Sequence, residues 1–197
     1  MQNRASVILL AVYTFLLLCG AELAFWHGAC DAGTGKYKVV TRHTTLVFNS
    51  REDMAVFDDA IDYEVNLSLS SFFSSPNSFD REKELIRKVD LLFEKVQSIL
   101  DMRKRMRKVR VRLFSNSDQL KKAYRKIFGK SCHVRGWYVY DFNTVFLSVR
   151  DVHEGMLAHE LGHAIIDHYL TVRPPRATAE ILAKYVDKHL FDEVRRY

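Results

Sequence analysis

The amino-acid sequence predicts a single α+β domain, and three observations lead to this fold class. The chain has 197 residues, which is long enough for one domain with its own core. Its composition is that of an ordinary globular protein, with 48% hydrophobic and 27% charged residues. Beyond the N-terminus, segments rich in β-branched and aromatic residues alternate with segments whose apolar residues recur at helical spacing.

The N-terminus has the layout of a secretory signal peptide. A single arginine precedes an apolar run at residues 5–18, and small residues follow that run up to Ala21. We therefore expect residues 1–21 to be removed, residues 22–36 to form a short linker, and residues 37–197 to form the domain. The mature protein would then be periplasmic or extracellular.

Two alternatives to cleavage stay open. Apolar residues continue to Trp26, so the segment could be retained as a membrane anchor of about 20 residues. A lipoprotein signal would use Cys19 or Cys30, which fit that pattern less well. After cleavage the remaining cysteines are Cys30 and Cys132, which could form one disulfide in an oxidising compartment or remain free thiols.

The first half of the domain is predicted as one strand and two helices. Residues 37–48 are rich in β-branched and aromatic types, which predicts a strand. Ser50 can cap a helix over residues 51–63. Residues 80–106 place apolar side chains at helical spacing, with acidic residues in the first turn and basic residues in the last, which favours a long helix.

The next elements are a strand, a helix and a hairpin. Valine and leucine alternate with arginine at residues 109–114, which is typical of a half-buried strand. A helix over residues 118–128 would end at Gly129. Two aromatic, β-branched runs within residues 135–149 flank Asp141, Phe142 and Asn143, and this arrangement predicts a hairpin.

Two helices close the chain. The apolar pattern of residues 152–171 predicts a helix that ends before Pro174 and Pro175, because a residue that precedes proline avoids helical geometry. A last helix is predicted over residues 176–193. The net charge of +6 is concentrated at residues 103–112, but no nucleic-acid motif accompanies it, so we predict no nucleic-acid binding.

The most informative motif lies in the first of these two helices. His159, Glu160 and His163 form the pattern H-E-x-x-H. On a helix the two histidines lie about 40° apart, one turn from each other, and can converge on one tetrahedral cation. Glu160 lies about 100° from His159, where it can reach a water on that cation. The surrounding residues are apolar, so these polar groups need a partner, and a metal ion is the simplest one.

Three residues could supply a third protein ligand. Glu180 lies on the next helix, which the double proline could fold back onto the motif. His168 lies about 180° round the helix from His159 and would need a break in that helix. Asp167 lies about 80° round, at the edge of the metal face, and also suits a role behind a histidine.

An H-E-L-G-H sequence followed by a glutamate on the next helix resembles the gluzincin branch of zinc metallopeptidases, especially its small, minimal-domain members. The resemblance covers about residues 80–193. It implies a zincin-like core, in which a small mixed sheet with an edge hairpin packs on the H-E-x-x-H helix and on a following glutamate helix.

The resemblance also implies roles for individual residues. One zinc ion would be held by His159, His163 and Glu180, and Glu160 would be the general base. A peptide or protein substrate would lie along the strand that precedes the motif helix, here residues 144–149, and pair with its backbone.

The sequence departs from the family pattern in three respects. The gap of 16 residues between His163 and Glu180 is a little short. Many gluzincins carry an aspartate four residues after the glutamate, whereas this chain has Lys184, so Asp187 or Asp167 would orient a ligand instead. No residue is assigned by pattern to stabilise the oxyanion. We predict Tyr185 for that role, and the other candidates are His153, Tyr138 and Tyr140.

Taken together, the residues and the resemblance predict an exported zinc metallopeptidase that could be tethered to a membrane by its N-terminal segment. Two other functions stay open. The same motif serves zinc hydrolases of other amides, such as those of a cell wall. A catalytically inactive relative could keep zinc in a closed coordination shell.

Overall fold

The fold was analysed in a computed structural model, which describes residues 36–63, 78–131 and 133–192, with the side chains of residues 78–80 excepted. These residues belong to one compact unit that spans Lys36–Tyr197. The predicted signal peptide, Cys30 and Cys132 lie outside the described residues. Within the described ranges, no helix is long and apolar enough to cross a membrane.

A five-stranded mixed sheet forms the centre of this α+β unit. Its strands lie in the order β1-β2-β3-β5-β4. The three inner strands β2, β3 and β5 are parallel, and the outer strands β1 and β4 pair antiparallel to β2 and β5. The strand bounds are β1 Tyr37–Val40, β2 Thr44–Phe48, β3 Val109–Phe114, β4 Gly136–Val139 and β5 Thr144–Ser148.

Five helices are found in the described part of the chain: α1 Arg51–Ala60, α2 Ser78–Ile99, α3 Ser117–Phe128, α4 Glu154–Tyr169 and α5 Arg176–His189. Side-chain caps mark the starts of α1 and α3. The Ser50 hydroxyl accepts from the Asp53 amide at the start of α1, and the Asn116 side chain accepts from the Gln119 amide at the start of α3. The C-cap of α3 is Gly129, whose φ of 68° is a left-handed conformation that glycine adopts without a steric penalty.

The sheet carries an apolar core on each face. Alternate side chains of β3 and β5, such as Val111 and Leu147, face a large core that also receives α1, α2 and α4. Phe146 points to the opposite face, where it packs with Trp137 and with Leu120 of α3. Helix α4, which carries the H-E-x-x-H motif, is therefore buried between the sheet and its neighbouring helices.

Two predicted elements were wrong in extent. Residues 37–48 form two strands joined by a turn, because the Thr41 hydroxyl accepts from the amides of His43 and Thr44 and reverses the chain. Helix α2 ends at Ile99, seven residues before the predicted end at Met106, and Asp101 then adopts φ 52°, which is outside helical geometry.

The predicted edge strand was also wrong. Residues 144–149 were expected to present a free edge, but β5 pairs with β3 on one side and with β4 on the other. Among the described strands, the edge of the sheet beside the motif helix is β4, the first strand of the hairpin. Any peptide that extends this end of the sheet must therefore pair with Gly136–Val139.

Candidate metal centre

Helix α4 brings the two motif histidines to the surface that faces α5. The helix begins after His153, whose ring nitrogen accepts from the Met156 amide as an N-cap. Gly162 lies on the side toward α5, where a Cβ would meet Val186 at 3.7 Å and the backbone of Ala183 at 3.8 Å. A Cβ would therefore be in ordinary van der Waals contact, so α5 packs directly against this side of α4. This packing brings Glu180 to the histidines.

His159, His163 and Glu180 converge on one point. The two Nε2 atoms are 3.2 Å apart, and each is 3.7 Å from a carboxylate oxygen of Glu180. Ligands about 2.0–2.1 Å from a tetrahedral zinc ion are separated by about 3.4 Å, so these spacings suit zinc. Among the described residues, these three form the one group of histidine, cysteine or acidic side chains with such convergence. The donor set therefore fits one zinc ion.

Asp187 lies behind the first histidine. Its Oδ2 is 3.0 Å from Nδ1 of His159, while Nε2 of the same ring faces the cluster. A carboxylate at that position fixes the tautomer and the orientation of a metal-binding imidazole. Asp187 was one of two residues that the sequence offered for this role. The other, Asp167, instead accepts from Nε of Arg173 at 3.0 Å.

The imidazole of His163 is held in its neutral form. Burial, with a smaller contribution from the neighbouring His159, lowers its pKa from 6.5 to about 4, although the charge of Glu180 acts in the opposite direction. A histidine binds a metal through the lone pair of the neutral ring. The environment therefore favours the protonation state that a ligand requires.

Glu160 is almost fully buried beside the edge strand. Burial raises its pKa from 4.5 to about 8, with further increases from the charges of Glu180 and Asp187, while a hydrogen bond from the Tyr138 backbone lowers it. Its Oε1 lies 3.3 Å from the place where a Cβ would stand on Gly136. Strand β4 thus approaches the motif carboxylate through its backbone.

A cleft of about 850 Å³ opens over the cluster. The three cluster residues and Glu160 contribute to its wall, together with Gly136 and Tyr138 from β4. The cleft is large enough for several residues of a peptide, since ligand pockets commonly measure about 300–1,000 Å³. The cleft brings the outer edge of β4, the carboxylate of Glu160 and the three converging side chains onto one continuous surface.

His168 does not reach the cluster. Its Nε2 lies 2.9 Å from the Tyr138 hydroxyl and 3.1 Å from Oδ1 of Asn143, and its ring stacks on Tyr140 at 5.2 Å. Burial lowers the pKa of His168 below its ordinary value. On an unbroken helix His168 lies opposite His159, and its side chain accordingly contacts the β4–β5 hairpin.

The residues considered for the oxyanion are dispersed. Tyr185 is half exposed and its ring lies 4.1 Å from that of His189, so the structure does not bring it to the cleft. His153 caps α4 and Tyr140 stacks on His168. Tyr138 alone of these four lines the cleft, and burial raises the pKa of its hydroxyl.

The structure also brings to the cleft three residues that were not predicted to lie there. Gly136 is one of them, and an isolated glycine within a strand is a signal for close approach of another group. Arg173 and Arg176 flank the double proline and line the cleft as well. Their position depends on the direction in which α5 folds back, so spacing along the sequence could not place them.

Comparison of the chain with known proteins found no matching family model, no similar curated protein and no similar solved structure. The function of the site therefore has to be inferred from its own geometry.

Proposed function

We propose that this protein is a zinc-dependent metallopeptidase with a zincin-like core. The observation that carries the proposal is the convergence of His159, His163 and Glu180 at spacings close to a tetrahedral edge, beside the buried carboxylate of Glu160. Three protein ligands leave one coordination position for water or substrate. All three side chains line the cleft, so an ion held by them would be accessible to substrate, which favours a catalytic site over a closed structural one.

The residues of the chain divide the chemistry among them. His159, His163 and Glu180 would hold a zinc ion, and this ion would supply the Lewis acid that activates a water molecule for attack on a peptide carbonyl. Glu160 accepts a proton from that water and passes a proton to the departing amine. Asp187 keeps Nε2 of His159 directed at the ion. The edge of β4 binds the extended substrate through backbone hydrogen bonds.

Hydrolysis of another amide, such as a cell-wall bond, is the alternative that uses the same groups. The free edge of β4 favours a peptide, because an extended backbone can continue the sheet there. The inactive alternative needs a closed shell. The positions of His168 and Asp167 argue against it, because both have other partners.

Two measurements test the proposal. Purified protein is expected to contain one zinc ion per chain, and the double variant His159→Ala/His163→Ala is expected to contain none. Zinc-loaded wild type is expected to cleave members of a peptide library, and Glu160→Gln is expected to keep zinc but lose at least about 100-fold in kcat, the usual range for loss of a general base. Zinc-free wild-type protein, or equal activity in Glu160→Gln, would contradict the proposal.

A further inference from the structure

We propose that the preferred substrate carries a carboxylate close to the bond that is cut, and that Arg173 and Arg176 bind this carboxylate. The inference rests on the proposed hydrolase function and adds the chemical class of its substrate. The carboxylate could be an acidic side chain or the C-terminus of a peptide, since both present the same group to an arginine.

Arg173 is held in place from two sides. Its Nε donates to Oδ2 of the buried Asp167 at 3.0 Å, and its guanidinium carbon lies 4.9 Å from the centre of the Tyr140 ring. Its two terminal nitrogens have no partner within the described parts of the chain. The side chain is 59% exposed and lines the cleft. A guanidinium fixed in this way can offer parallel N–H groups to a carboxylate with little loss of side-chain entropy.

Arg176 makes direct contact with one member of the cluster. It is the first residue of α5, and its Nε lies 3.9 Å from Oε1 of Glu180. The side chain is 93% exposed, so this contact leaves most of the guanidinium accessible. When Glu180 binds a metal ion, its charge is largely neutralised and it attracts Arg176 less. A substrate carboxylate that binds Arg176 would then lie close to Glu180, and so close to the bond that is cut.

The charge of the cleft also favours a substrate that carries a carboxylate. The basic residues of its wall are Lys130, Arg173 and Arg176, and the acidic ones are Glu160, Asp167 and Glu180. All three acidic groups have a use within the site: Glu180 as a metal ligand, Asp167 as the partner of Arg173, and Glu160 as the base. A divalent cation therefore leaves the cleft with a net positive charge. Such a field attracts anionic substrates and disfavours cationic ones.

Hydrolysis of a matched peptide series tests this inference. Peptides that differ only in Glu, Gln or Lys at one position, scanned on both sides of the cut, are compared as free acids and as C-terminal amides. We expect the acidic peptide to exceed its Gln counterpart about tenfold in kcat/KM at low salt, and the ratio to fall as salt is added. A dependence on the Glu position indicates an acidic side chain, and a dependence on the free terminus indicates a C-terminal carboxylate.

Variants assign the preference to the two arginines. Arg176→Gln and Arg173→Lys are expected to reduce the Glu-to-Gln ratio to below about threefold; Arg173→Lys keeps a charge opposite Asp167 but loses the planar fork. Lys188→Gln is the matched control, because it removes the same charge from the exposed surface of α5 outside the cleft and should keep the full ratio. Equal kcat/KM for Glu and Gln and for acid and amide, or a ratio that survives in both arginine variants, would overturn the inference.

A binding measurement separates this inference from the hydrolase proposal. Zinc-loaded Glu160→Gln is titrated with the same peptides by calorimetry, so no turnover is needed. Tighter binding of the acidic peptides, by about tenfold and lost in Glu160→Gln/Arg176→Gln, supports the carboxylate site even if the wild type cleaves nothing. Equal affinities for acidic and neutral peptides contradict the carboxylate site whether or not peptides are cleaved.

Discussion

Gly136 offers a direct test of how the edge strand positions the motif carboxylate. A methyl group added there would lie 2.6 Å from Cδ2 of Leu147 and 3.3 Å from Oε1 of Glu160. The first separation is shorter than any stable contact, so Leu147 has to move. The second is tight enough that Glu160 has to shift by a few tenths of an ångström. Gly136→Ala therefore strains the core and displaces the proposed base in one step.

The size of both effects follows from burial. Leu147 is fully buried, so its displacement is an overpacking event that costs about 1–3 kcal/mol of unfolding free energy. For a chain of this length that cost lowers Tm by about 2–12 °C. A misplacement of about 1 Å in an active site can cost about 100-fold in rate, so the smaller shift of Glu160 is expected to lower kcat roughly threefold to tenfold.

Thermal unfolding, zinc content and peptide hydrolysis measure these effects separately. The double variant Gly136→Ala/Leu147→Val removes the clashing methyl and should recover stability relative to the sum of the single variants. It keeps the contact with Glu160, so its kcat should remain low. An unchanged Tm and kcat in Gly136→Ala would refute the close approach of β4. Full recovery of kcat in the double variant would refute the displacement of Glu160.

Three further outcomes are expected. Asp187→Asn should weaken zinc binding about 10–100-fold in a competition titration, because the His159 ring loses its carboxylate partner; unchanged affinity would contradict that role. Lys88→Ala should lower the unfolding free energy by about 3–5 kcal/mol, because it leaves the buried carboxylate of Asp58 without its partner at 3.0 Å; denaturant titration would reveal a smaller loss if the pair contributes little. His43, with a smaller effect from a nearby arginine, holds the pKa of the Glu94 carboxyl below its ordinary value of 4.5, so this ionised group stabilises the fold above pH 4.5 and the benefit disappears as pH falls through the lowered pKa. Glu94→Gln should therefore cost at most about 1 kcal/mol at pH 7 and progressively less as the pH falls below 4.5. A cost that grew with acidity would contradict this prediction.

Local signals in the sequence predicted most helices, but not the turn at residues 41–43. The segment Thr41, Arg42, His43 contains no glycine, proline, asparagine or aspartate, so it reads as a continuation of a strand. The reversal depends on the Thr41 hydroxyl and on Asp90 of α2, whose carboxylate accepts from the amides of Arg42 and His43. A contact between residues almost fifty positions apart is not visible in local spacing.

The order of the strands was also beyond local reasoning, although one signal for it exists. All five residues of Thr144–Ser148 are buried. Their sequence lacks the alternation of polar and apolar residues that is seen in a strand with one solvent-exposed face. That pattern is typical of an inner parallel strand and predicts that the free edge lies elsewhere. The approach of Glu180 to the histidines was expected from its chemistry and its place after the double proline, and Asp187 was one of two alternatives for a carboxylate beside a histidine. Both placements depend on a single reversal of the chain.

The close contact at Gly162 has a consequence for the strength of metal binding. Helix α5 carries Glu180 and Asp187, and it reaches the histidines by apolar packing of Val186 and Ala183 against α4. The free energy of ion binding would therefore depend on how well α5 packs against α4. Substitutions in this apolar contact, which lie outside the proposed ligands, would alter the dissociation constant of the ion. The cation in turn would link α5 to α4, so its removal should increase the local unfolding of α5 before that of other elements.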